Sequence, residues 1–184
     1  MTNVVSICGS LRKGSYNRMV MAALPSLVPS GMSIKEAPPY AEVPLYNADI
    51  QNSSGFPAAA TALADAIRAA DGVIFCTPEY NFSLPGGLKN AIDWASRPPP
   101  STPLRGKPCG IMGASGGMSG TMRMQYHLRQ IFVFTQTQVM LTPEIFVRNA
   151  AQVFDASGKL TDDATRKLLA QHAEALVAWT RKVR

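Results

Sequence analysis

An α/β fold, with a parallel sheet covered by helices on both faces, is what this sequence predicts. Three observations carry it. Short β-branched runs alternate with helix-period stripes along the whole length. The run GVIFCT at 72–77 is apolar without alternation, as a strand buried on both faces must be. The 184 residues show no internal repeat, long linker or shift in composition, so they make one domain, residues 1–184, large enough to bury its own core.

The elements follow in order. Residues 3–8 form the first strand and 32–36 (MSIKE) a weaker second. The third is 72–77, the fourth 108–114 (PCGIMGA), and the fifth runs through 137–141 and 144–147, broken at Pro143, which has no N–H to give a ladder. Met19, Ala23 and Leu27 mark the first helix. Ala60, Leu63, Ile67 and Ala70 mark another, started after Pro57 and stopped at Gly72. Leu88 and Ile92 mark a short helix ended by Arg97-Pro98-Pro99-Pro100, and Met124, Leu128 and Ile131 the next. The last begins near Thr161, which can cap it. Asp162 and Asp163 suit its positive end, and Arg181, Lys182 and Arg184 its negative one. Leu169, His172, Leu176 and Trp179 share its apolar face, which makes His172 a packing residue. The stretch 37–55, APPYAEVPLYNADIQNSSG, reads as a loop, either functional or a subunit contact.

Composition excludes several functions. The net charge of +6 comes from scattered Lys and Arg without a nucleic-acid module, so no nucleic-acid partner is expected, whereas a small anionic ligand suits such a surface. No run is long and apolar enough to span a membrane, and the start MTNVVSICGS lacks a signal peptide's features. No membrane partner and a cytoplasmic location are the expectation. Cys8, Cys76 and Cys109 form no C-x-x-C pair and read as reduced core thiols. His127 and His172 stand alone, so no metal site is expected.

In an open parallel sheet, ligands bind beyond the carboxyl ends of the strands. Three loops there are unusual. The first spans 9–17, GSLRKGSYN. A P-loop fails on it, because Ser15 and Tyr16 follow Gly14 where Lys and Ser or Thr are needed. The dinucleotide fingerprint G-x-G-x-x-G fails because Leu11 stands between Gly9 and Gly14 out of register. A tyrosine-phosphatase loop would need an Arg where Gly14 stands, counting from Cys8. What remains is Ser10, Ser15 and Asn17 as hydrogen-bond donors, Arg12 as a cation and the backbone N–H groups of a helix start: a cradle for a phosphomonoester. The second loop, 77–87 (TPEYNFSLPGG), leaves the most apolar strand with two aromatics and two prolines, a preformed wall for a flat heteroaromatic ring. The third, 114–120 (ASGGMSG), carries adjacent glycines that let backbone approach a ring closely. A phosphate at one loop and a planar ring between the other two describe a mononucleotide, and FMN fits.

Gly9-Ser10-Leu11-Arg12 with Ser15-x-Asn17-Arg18, then Pro78-Glu79-Tyr80-Asn81 with the run from Pro85 to Trp94, resemble the NADPH-dependent FMN reductase family over nearly the whole chain. That family includes quinone, chromate and azo reductases. The resemblance implies a flavodoxin-like three-layer sandwich with a five-stranded parallel sheet in the order 2-1-3-4-5. It implies a cofactor site made by Ser10, Leu11, Arg12, Lys13, Gly14, Ser15, Tyr16 and Asn17, with Ser10, Arg12, Ser15 and Asn17 on the phosphate. Pro78, Glu79, Tyr80 and Asn81, with Ser115, Gly116 and Gly117, would meet the ring. It also implies a homodimer or homotetramer with each flavin near a subunit boundary.

FMN would carry the chemistry, so no catalytic side chain is expected. NADPH or NADH would be the electron donor, in ping-pong exchange with an acceptor: a quinone, free FMN, an azo compound or a metal oxyanion. Arg12, Lys13, Arg105 and Lys107 are the candidate cations for choosing between the two dinucleotides. Glu79 invites a catalytic label, yet its loop position equally lets its carboxylate face water or a neighbouring subunit. The rival reading is an electron carrier of the flavodoxin type. Such carriers are typically acidic, and the net charge of +6 together with Arg12 in the loop argues for the enzyme.

Overall fold

The computed structural model describes residues 1–97 and 102–183. Its sheet is built from β1 (Thr2–Cys8), β2 (Met32–Glu36), β3 (Gly72–Cys76), β4 (Pro108–Ala114) and two short edge pieces, β5 (Gln138–Val139) and β6 (Ile145–Val147). All pairings are parallel, in the order β2-β1-β3-β4-β5, with β6 also on β4. The predicted fifth strand is therefore two pieces. β5 pairs with Pro108 and Cys109 at the start of β4, and β6 with Met112 to Ala114 at its end. Between them the chain leaves the ladder around Pro143.

Successive side chains on each strand point to opposite faces, and the two faces collect separate cores. One holds Val5, Ile7, Val73, Phe75 and Ile111 under α3 (Ala58–Ala69), α4 (Gly86–Ala95) and α5 (Met122–Thr135). The other holds Val4, Cys8, Ile74, Cys76 and Met112 under α1 (Tyr16–Ala23) and α6 (Asp163–Val183). Every residue of β3 is buried, as its unbroken apolar run requires. The rings of Phe75 and Phe132 meet at 5.0 Å and tie α5 to the sheet's centre.

Several helices differ locally from expectation. α1 buries Asn17, Val20 and Met21 rather than the stripe of Met19, Ala23 and Leu27. The helix stops at Ala23, where Pro25 turns the chain into a 3₁₀ turn at Leu24–Ser26, so the predicted stripe ends half-buried at the core's rim. In α5, Phe132 takes the deep position and Ile131 is only partly covered. At α6 the cap is Asp162, whose Oδ2 accepts the Thr165 N–H at 2.6 Å, while the Thr161 hydroxyl donates to the Val153 carbonyl. Pro98–Pro100 and Arg184 lie outside the described residues.

The stretch 37–55 contains a helix the sequence reading missed, α2 (Ala48–Ser54), capped by Asn47 Oδ1 on the Asp49 N–H at 2.8 Å. The stretch is also tied down. Trp94 Nε1 donates to the Pro44 carbonyl at 2.8 Å, Asn90 bridges Tyr46 N and the Pro44 carbonyl, and the Tyr40 hydroxyl donates to the Cys8 carbonyl at 2.7 Å. Cys8, Cys76 and Cys109 are free thiols, all buried. Among the described residues no helix is long and apolar enough to cross a membrane.

Candidate cofactor site

The three unusual loops meet at the carboxyl edge of β1, β3 and β4, and Thr77 sets how closely they pack. A Cβ on Gly9 would fall on the Thr77 side chain, and one on Gly113 on Thr121 Oγ1 and the Thr77 carbonyl. Glycine is required at both positions by this approach.

The first loop enters α1 through Ser15. Its Oγ accepts the Asn17 N–H at 3.2 Å, and Ser10 Oγ accepts the Arg12 N–H at 3.3 Å. Each hydroxyl thus spends a lone pair on backbone and keeps its own proton to donate outward. Both serines are buried, whereas Leu11, Arg12, Lys13 and Gly14 are exposed. Tyr16 stacks on Phe154 with ring centroids 6.3 Å apart.

Asn17 behaves differently from its predicted role as a phosphate donor. Its side chain is buried, its Nδ2 donates to the Ala114 carbonyl at 2.9 Å, and its Oδ1 accepts the Ala114 N–H at 2.8 Å. The carboxamide imitates a strand neighbour and locks the start of α1 to the end of β4. Asn17 therefore positions the cradle, and its carboxamide is committed to backbone.

The second loop forms a tight hairpin. Tyr80 and Ser83 exchange both backbone hydrogen bonds at 2.9 Å, with Asn81 at φ 50° and Phe82 at φ 65° between them. Two successive left-handed residues make a turn of type I′. Asn accepts that conformation readily, whereas Phe does so at a cost on the order of 1–3 kcal/mol. Phe82 stays exposed, with the Arg123 guanidinium 3.8 Å from its ring centroid. Tyr80 is about half exposed.

Glu79 turns inward, its side chain only 7% exposed. Its carboxylate accepts the N–H groups of Arg123 and Met124 at 3.1 and 3.2 Å and Arg123 Nε–H at 2.6 Å. Those amides begin α5, whose own N-cap, Thr121, makes no side-chain cap bond. A carboxylate from the second loop thus caps the helix that follows the third. Arg123 also donates to Ser119 Oγ at 3.0 Å.

The third loop is anchored by backbone. Ser115 N–H bonds the Val147 carbonyl, Ala150 N–H the Ser115 carbonyl, and Asn149 N–H the Gly117 carbonyl. Ser115 Oγ accepts the Gly117 N–H at 3.0 Å. A Cβ at Gly116 would meet nothing within 4 Å, so this backbone faces open space.

A cavity of about 230 Å³ joins all three loops. Ser10, Arg12, Ser15, Tyr16 and Asn17 line it from the first, Pro78, Glu79 and Tyr80 from the second, and Ala114, Ser115 and Gly116 from the third. Of the other predicted residues, Leu11 lines a neighbouring cavity, Lys13 and Gly14 lie on the exposed side of the loop, Asn81 forms the hairpin tip, and Gly117 belongs to the backbone anchor. Its first-loop side carries the hydroxyls of Ser10 and Ser15, a helix start and Arg12, while the carboxylate in its lining, Glu79, is held by Arg123. That donor set suits a phosphomonoester dianion. The Cys76 thiol nearby donates to the Asn17 carbonyl, and burial pushes its pKa well up, which leaves it protonated and inert.

This chain is similar to known proteins over nearly its whole length. The family described as NADPH-dependent FMN reductase matches residues 2–152. An NAD(P)H-dependent FMN reductase of Pseudomonas aeruginosa is 50% identical over 181 residues, covering 98% of this chain and 96% of that protein. A quinone reductase of Escherichia coli is 52% identical over 164 residues, 88% of this chain and 86% of that protein. Among solved structures, the NAD(P)H:acceptor flavoenzyme FerB of Paracoccus denitrificans superposes with a TM-score of 0.88 at 35% identity, covering 99% of this chain and 98% of that one.

Proposed function

This chain belongs to the NADPH-dependent FMN reductase family, and from that premise we propose that it uses bound FMN to take hydride from NADPH or NADH and pass electrons to quinones in ping-pong exchange. The observation that carries the reading is the single cavity in which a phosphate-type cradle and two ring-type loops converge.

The residues present fit FMN. The Ser10 and Ser15 hydroxyls, the α1 N-terminus and Arg12 hold the phosphate. The 78–80 wall, stiffened by the hairpin and by the Glu79 bond to α5, orients the ring, and Gly116 lets backbone come against it. FMN supplies the two-electron chemistry when bound. The chain holds and orients it, and no acid or base side chain is assigned to the reaction.

The rim of the cavity favours an oligomer. Tyr80, Phe82, Met118 and Tyr126 are large and exposed on the second and third loops and the first turns of α5, a surface suited to a second copy in a homodimer or homotetramer. The free thiols suit a reducing cytoplasm.

Anaerobic stopped-flow mixing of the FMN-loaded protein with NADPH or NADH tests the function. Rapid loss of the flavin's visible absorbance, restored by a quinone, is the expected result. A tightly bound flavin that stays oxidised with both dinucleotides would make the chain a carrier that depends on a separate reductase.

A further inference from the structure

A second and larger cavity, about 430 Å³, opens on the other side of the first loop. Neighbouring residues divide between the two. Ser10 and Arg12 line the cofactor cavity while Leu11 lines this one, and Asn17 lines the first while Arg18 lines the second. Its walls are apolar at Leu11, Pro38, Pro39 and the Tyr40 ring, and its charged groups are Arg18 and Glu36. Arg18 Nη1 sits 2.6 Å from Glu36 Oε1, with the two side chains 42% and 51% exposed. A half-exposed pair of this kind is held weakly and opens readily for a competing partner.

The placement of Glu36 is informative. It ends β2, beside β1, and follows the Gly-Ser loop by about the twenty residues at which dinucleotide folds put an acidic group on the adenosine ribose 2′-hydroxyl. An arginine nearby then accommodates a 2′-phosphate. The glycine fingerprint of those folds is absent here, so only the chemistry at the end of the second strand is shared. Apolar walls for a purine, a carboxylate for ribose hydroxyls and a guanidinium for a phosphate lie together in one cavity next to the cofactor site.

We propose that this cavity takes the adenosine end of the nicotinamide dinucleotide, with Glu36 accepting from the ribose hydroxyls of NADH and Arg18 turning from Glu36 onto the 2′-phosphate of NADPH. The proposal rests on the reductase reading above. It replaces Arg12, Lys13, Arg105 and Lys107 with Arg18 as the residue that meets the distinguishing phosphate. The Arg18–Glu36 pair then serves both dinucleotides from one site, each partner shielding the other when its own group is absent.

The test is calorimetric titration of the FMN-loaded protein with 2′,5′-ADP and with 5′-ADP, neither of which carries a nicotinamide. Arg18→Ala is expected to weaken 2′,5′-ADP by about tenfold or more, the loss of one charge-assisted contact, with 5′-ADP little changed. Glu36→Gln is expected to weaken 5′-ADP more than 2′,5′-ADP. Retained FMN in each variant reports an intact fold. An unchanged 2′,5′-ADP affinity in Arg18→Ala, or equal losses of both probes in both variants, overturns the proposal. Flavin reduction is read separately. Reduction by NADPH with unchanged probe binding in Arg18→Ala sinks this site and leaves the reductase, whereas Arg18-dependent 2′,5′-ADP binding without reduction keeps the site and sinks the reductase.

Discussion

Glu79 accepts the backbone N–H of Arg123, 44 residues further along the chain, at 3.1 Å, and holds the same residue's guanidinium at 2.6 Å. The carboxylate therefore fastens the second loop to the helix behind the third. Glu79→Ala strands the first amides of α5 and frees Arg123, a loss of about 1–3 kcal/mol in urea unfolding. Glu79→Gln keeps an acceptor but not the charge and should fall between. FMN affinity should drop in the same order, since the wall against the ring loosens. Equal stability for all three proteins would show that the bond does not fasten the loop.

Asn17 joins the other pair of loops. With alanine there, the buried N–H and carbonyl of Ala114 both lose their partner, and about 2–4 kcal/mol of stability should go with them. Asn17→Asp keeps the acceptor for the N–H but sets a carboxylate against the Ala114 carbonyl, and should be no better. Thermal unfolding of the two variants beside Ser10→Ala separates the roles. Ser10 should lower FMN affinity with little change in melting temperature, and Asn17 should lower both.

Much of this was legible in the chain. The unbroken apolar run of β3, the stripe at Ala60, Leu63 and Ile67 and the hydroxyl-rich first loop are local patterns, and local patterns survive folding because the fold agrees with them. What escaped depended on distant partners. Nothing near Glu79 announces that it caps a helix beginning after Thr121, and nothing near Asn17 says that its amide will meet Ala114 rather than an anion. The hairpin was hidden for another reason: Phe82 occupies a left-handed position where a glycine or asparagine would have signalled the turn. The break in the edge strand was itself legible at Pro143, whereas the stop of α1 at Ala23 follows from Pro25, which the apolar stripe runs past.

Arg12 offers the most direct test of which end of the cofactor meets the first loop. Its guanidinium is exposed and lines the cavity beside Ser10 and Ser15. Arg12→Ala should weaken FMN by about tenfold while leaving riboflavin, which lacks the phosphate, unchanged in fluorescence titrations. Added salt should likewise weaken FMN more than riboflavin. Equal losses for the two flavins would take the phosphate away from this loop.

His172 makes the protein's stability depend on pH. Its ring is fully buried, with Nδ1 at 3.0 Å from the Pro143 carbonyl and Nε2 packed against Gly110 without a hydrogen-bond partner. Burial chiefly, and the nearby Arg129 charge in addition, outweigh the bond to Pro143 and press its pKa down from 6.5 to about 4. The unfolded chain therefore binds a proton that the native state refuses. This contribution is fully present above pH 6.5 and is lost as pH falls from there through about 4, with a limiting slope of about 1.4 kcal/mol per pH unit. Urea unfolding between neutral pH and pH 5 should show that slope in the wild type and a shallower one in His172→Gln, whatever the variant loses at neutral pH. Parallel lines for the two proteins would mean that His172 takes its proton without unfolding the chain.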